Sequence, residues 1–105
     1  MSIRLLEHIR DELRGSGAIQ NTPEFCKSWL GRSEGYIRTL CFHELESSME
    51  ALNVCSYKLG HYADRLKGSY TEAHKTWVQS FTRLKALCDQ AIVKQAIKYR
   101  VLAPE

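Results

Sequence analysis

From Tyr70 to Ala103 the chain runs for about a third of its length without a proline or a glycine. Nothing in that stretch breaks a helix. Ser69-x-x-Glu72 precedes it as a capping box, in which the serine and the glutamate satisfy each other's end amides. Trp77, Phe81, Leu84, Cys88, Ala91 and Gln95 then alternate steps of four and three, and Val78, Ile92 and Tyr99 widen the stripe. At 1.5 Å per residue such a helix is about 45–50 Å long. A compact domain of this size has a radius of gyration of about 13 Å. Part of the helix is therefore expected to project past its own domain or to pack on another chain. The residues expected to meet a second copy are Trp77, Phe81, Leu84, Cys88, Ala91 and Ile92, which makes the expected assembly a two-fold homodimer.

The rest of the chain is equally poor in proline, with only Pro23 and Pro104 in 105 residues. Ile3, Leu6, Ile9 and Leu13 mark one face of a first helix over 2–14, ended by Gly15-Ser16-Gly17. Thr22 caps a second helix, Pro23 fits its first position and Glu24 suits its positive end. Phe25, Cys26, Trp29 and Leu30 form its inner side. A third helix is expected over 34–41. The fourth opens with Ser47-x-x-Glu50, carries Met49, Leu52, Cys55, Leu59, Ala63 and Leu66, and ends at Gly68. The fold class is all-α, with four to five helices. Residues 1–68 form a helix-turn-helix domain, and residues 69–105 supply the long helix that covers the core or dimerises.

Composition narrows the function classes. Hydrophobic residues make up 44% and charged residues 26%, which suits a folded domain and not a disordered chain. No apolar run approaches the ~20 residues that a bilayer requires, and charge interrupts the N-terminus too early for a signal peptide. The expected location is the cytoplasm. Cys26, Cys41, Cys55 and Cys88 lie far apart without a C-x-x-C pair, and read as four buried reduced thiols. Neither they nor His8, His43, His61 and His74 have zinc-ligand spacing, so no metal or cofactor is expected. The net charge is +3. Residues 1–68 carry nine basic and nine acidic side chains; residues 69–105 carry six and three.

The stretch from Thr22 to Gly60 holds the most specific pattern. Leu30 closes a helix on the core. Gly31 can take the left-handed backbone of a tight turn. Ser33 can cap the next helix, whose apolar side is Tyr36, Ile37, Leu40 and Cys41. A short helix held by one face and open on the other suits the DNA major groove. Ser48-Met49-Glu50-Ala51-Leu52 and Leu59-Gly60 follow at one helical stretch each. In these positions the chain resembles the helix-turn-helix domain of phage repressors and Cro-like regulators over residues 22–60.

That resemblance implies a small regulator that binds double-stranded DNA as a homodimer, because one short helix reads only a few base pairs. Ser33, Glu34, Gly35, Arg38 and Thr39 would face base edges. Lys27, Arg32 and His43 would lie near phosphates. No nucleophile with a base, carboxylate pair or phosphate loop is present, so the chain reads as no enzyme. The alternative is a protein-interaction module on the same fold that no longer binds DNA. Surface charge separates the two: a basic face around Arg32 and Arg38 favours DNA, and an apolar or acidic one favours a protein.

Overall fold

A computed structural model describes residues 2–43, 45 and 47–102. Five helices follow in order: α1 (Ser2–Gly15), α2 (Thr22–Trp29), α3 (Tyr36–His43), α4 (Met49–Leu66) and α5 (Glu72–Leu102). No strand occurs among the described residues, so the fold is all-α. No helix is long and apolar enough to cross a membrane among them. Glu44, Glu46 and Ala103 lie outside the described residues, as does the side chain of Tyr99.

One apolar cluster unites all five helices. Leu6, Ile9 and Leu13 of α1 meet Phe25, Cys26 and Trp29 of α2, Ile37 and Leu40 of α3, Leu52, Cys55 and Leu59 of α4, and Phe81, Leu84 and Cys88 of α5. α4 and α5 form the most extensive pair and run antiparallel, with Ser56 facing Asp89 and Gly60 facing Lys85. The Trp77 indole N–H donates to the Ser16 carbonyl at 2.9 Å, which fastens the start of α5 to the end of α1. The long α5 sets the longest dimension, 50 Å, and the radius of gyration is 14.5 Å.

The face of α5 assigned to a second copy is used inside the chain. Phe81, Leu84 and Cys88 are buried in the chain's own core, while Trp77, Ala91 and Ile92 are half-buried against it. The expectation allowed the other helices to shield only part of this stripe. The 18-residue α4 is long enough to lie along most of it.

α4 runs without interruption through Gly60. A Cβ there would lie 2.9 Å from Cε of Lys85, so the bare backbone leaves room for that side chain to cross. Lys85 then donates to Ser56 Oγ at 3.0 Å and to Asp89 Oδ2 at 2.9 Å, and the Ser56 hydroxyl donates to the same carboxylate. Burial pushes the Asp89 carboxyl up, but the Ser56 hydrogen bond and the Lys85 ammonium together outweigh it and hold it below its ordinary value. A carboxylate lowered on folding stabilises the fold above the ordinary range and loses that contribution as pH falls. Asp89→Asn is therefore expected to cost under about 1 kcal/mol at neutral pH, the pair being half-exposed, and nothing in acid. Urea unfolding at the two pH values checks it.

Several local starts differ from the sequence reading. The cap of α2 is Asn21, whose Oδ1 accepts from the Glu24 amide at 2.9 Å, and Thr22 is already helical. α5 begins at Glu72; Ser69 instead accepts from the Thr71 amide and meets Nδ1 of His74. Cys41 is exposed, not buried, while Cys26, Cys55 and Cys88 are buried. The Cys55 thiol is pushed well up by its hydrogen bond with Cys88, then by burial. One thiol is thus expected to react rapidly with an aromatic disulfide reagent and three only on unfolding. Four fast thiols would contradict the packing.

Candidate interaction face on α3

α2 ends at Trp29, and Leu30 turns its side chain into the core while its amide still donates to Phe25 O. Gly31 follows with φ +64°, and the site of a Cβ lies 3.6 Å from Val54 of α4. The Arg32 amide then donates to Cys26 O at 2.9 Å and closes the turn. Any other residue at Gly31 would be strained by the left-handed backbone.

The chain does not enter α3 at Glu34 as its spacing suggests. Ser33 accepts from the Tyr36 amide through its carbonyl at 3.1 Å, so Ser33-Glu34-Gly35 forms a separate tight turn. The helix proper starts at Tyr36 and runs two residues further, to His43. Ile37 and Leu40 are buried, as their spacing requires. The outward side is Gly35, Arg38, Thr39 and Phe42, at helical steps of three and four.

The basic groups expected at phosphates are largely engaged. Arg32 turns back onto α4: its guanidinium donates to Ser48 Oγ at 2.9 Å and to Glu50 Oε2 at 3.1 Å, and it stands 5.6 Å from the centre of the Tyr36 ring. The Tyr36 hydroxyl accepts from the Ser48 amide at 2.9 Å. In the free chain Arg32 therefore points back onto α4 and not outward with Arg38. Its charge is tied to a carboxylate within the fold, and the group clamps the turn to the start of α4. Lys27 lies 3.8 Å from Glu34, both exposed, so two expected DNA contacts face each other with opposite sign. Ser33, Arg38, Thr39 and His43 are exposed, and Gly35 is half-buried.

The tip of this face lies beyond the expected end of the third helix at residue 41. Phe42 is 81% exposed and Leu45 51% exposed, with Cys41 exposed beside them. The Phe42 ring packs edge-on to His43 at 5.0 Å. Its signal is the helical step of four from Arg38, which a helix ending at Cys41 leaves out.

Ser48 is the working cap of α4, its hydroxyl accepting from the Ala51 amide at 3.1 Å. Ser47, the expected cap, is buried with its hydroxyl unpartnered among the described residues. Ser48→Ala is expected to cost about 1–2 kcal/mol, because it removes both the cap and an Arg32 contact. Ser47→Ala is expected to be neutral or stabilising by about 1 kcal/mol, since it deletes an unsatisfied buried group. Denaturant midpoints of the two variants check the contrast.

Among the described residues no three of His, Cys, Asp and Glu gather into a metal-binding group. No curated protein and no solved structure matches the chain. A family model does match it, and because the match covers residues 6–101, nearly the whole chain, this protein belongs to the family of unknown function DUF6626.

Proposed function

We propose that the chain is a non-enzymatic protein-interaction module that keeps a helix-turn-helix-like arrangement and presents the α3 face to a protein partner. The observation that carries this is the fate of the cations. DNA readers draw most of their affinity from Lys and Arg on phosphates. Here Arg32 is bound to Ser48 and Glu50, and Lys27 faces Glu34. What remains on the outward face is Arg38, Thr39 and an exposed phenyl at Phe42. An exposed aromatic beside an arginine fits an apolar socket with a carboxylate at its rim, the pairing common at the centre of protein interfaces.

A second reading keeps the DNA-binding regulator. Its support is that Arg38 and Thr39 stand exposed side by side where a recognition helix would meet base edges. Under that reading Arg38→Ala weakens binding to a defined site by about 1–3 kcal/mol without unfolding the chain.

A photo-crosslinking phenylalanine analogue at position 42, in the cells that encode the protein, separates the two. The module reading expects a discrete protein adduct that disappears in the Arg38→Glu background. An adduct removed by DNase, or the absence of any adduct, would overturn it.

A further inference from the structure

α5 carries a second stripe on the side away from the core. Val93 is 55% exposed and Ile97 54% exposed, and the exposed Ala86 and Gln90 precede them. The four positions alternate steps of four, three and four, which is the spacing of a helix-pair seam. Core residues Leu84 and Cys88 lie on the opposite face of the same helix. Upstream the seam stops: Arg83 occupies the next position and is held by Glu12 of α1.

The charges beside this stripe select its partner. With Gln90 and Ile97 at the first core position of each heptad, Asp89 flanks the seam on one side and Lys94 on the other. Lys94 is exposed, and Asp89, which already accepts from Lys85 and Ser56 of its own chain, keeps about half its side chain in solvent for a second cation. In a parallel pair of identical helices these two flanking positions meet across the seam, five residues apart, so opposite charges face twice. In an antiparallel pair each flank faces the same flank of the other helix, so Asp89 and Lys94 could not pair.

We propose that Ala86, Gln90, Val93 and Ile97 form the seam of a parallel helix pair with a second copy of this chain, in which Asp89 faces Lys94 of the partner subunit. The seam spans under two heptads, so the association is weak and concentration-dependent. It uses a different helix from the α3 face and stands whether that face binds protein or DNA.

Sedimentation of the full chain from about 10 μM to about 1 mM tests it. The mass is expected to rise from 12.1 kDa towards twice that value. Val93→Glu and Ile97→Glu are expected to hold it at the monomer with unchanged helicity, because both side chains already face water. Lys94→Glu is expected to raise the dissociation constant roughly five- to thirtyfold, by placing like charges together. In a Cys41→Ser background, Ile97→Cys is expected to form a disulfide-linked dimer on mild oxidation, since a parallel pair sets both copies of residue 97 in one layer. A monomer at the highest concentration would overturn the proposal. So would a dimer indifferent to Val93→Glu, or a dimer that Ile97→Cys fails to crosslink.

Discussion

Leu84→Ala is expected to lower the free energy of unfolding by about 2–5 kcal/mol, read from urea denaturation. Leu84 is fully buried among residues of the other helices, so its removal forfeits the transfer of the side chain and leaves a cavity. Val93→Ala on the same helix is expected to stay within about 0.5 kcal/mol of the native protein in dilute solution. The contrast follows from which side of α5 each residue occupies. It also redirects the obvious dimer-breaking experiment. Leu84→Glu would place a carboxylate in the chain's own core and unfold it, because Leu84 is fully buried within the single chain. Equal small effects at both positions would mean that α5 does not close the core.

Trp29→Ala is expected to cost about 3–5 kcal/mol, the upper range for core truncations. Trp29 ends α2, and its ring centre lies 5.2 Å from that of Tyr62 on α4 and 5.5 Å from that of Phe81 on α5. One side chain thus ties the helix before the turn to both helices of the long hairpin. Trp29→Phe is expected to recover more than half of the loss, since the apolar ring is retained. The same truncation should loosen the turn, because Leu30 and Gly31 follow Trp29 directly. Faster amide exchange at Arg32 would report that, its hydrogen bond to Cys26 being the one that closes the turn.

Helical periodicity made the elements and most of the core legible. The buried positions Leu6, Ile9, Leu13, Phe25, Leu52, Cys55 and Leu59 all sit at the spacings their helices require. Three things were not legible, for separate reasons. Ile19 is buried although it lies in a connector, where no period points to it. The entry to α3 lies two residues later than its spacing suggests because Ser33-Glu34-Gly35 closes its own turn, and the buried stripe is narrower than the apolar one, leaving Cys41 exposed beside Ile37 and Leu40. Arg32 sits 16 and 18 residues from its partners Ser48 and Glu50. Local spacing leaves it looking like a free cation beside a recognition helix. Long-range pairing alone shows that it is engaged, and the reading of the α3 face turns on this point. The stripe on α5 misled in the opposite direction. Its residues were correctly seen as apolar and contiguous, but the length of α4 available to cover them was underestimated.

Under the proposed reading this helix-turn-helix-like unit keeps Arg32 and Lys27 beside its own carboxylates and presents Arg38 and Phe42 to a protein. The most direct test of that reading is selection from a random-sequence duplex pool at low salt, followed by titration of any enriched sequence against the native protein and Arg38→Ala. No enriched motif is expected, and at most weak binding that vanishes at physiological salt and is insensitive to sequence. An enriched palindromic site with half-sites about one DNA turn apart, bound at physiological salt and lost in Arg38→Ala, would contradict it.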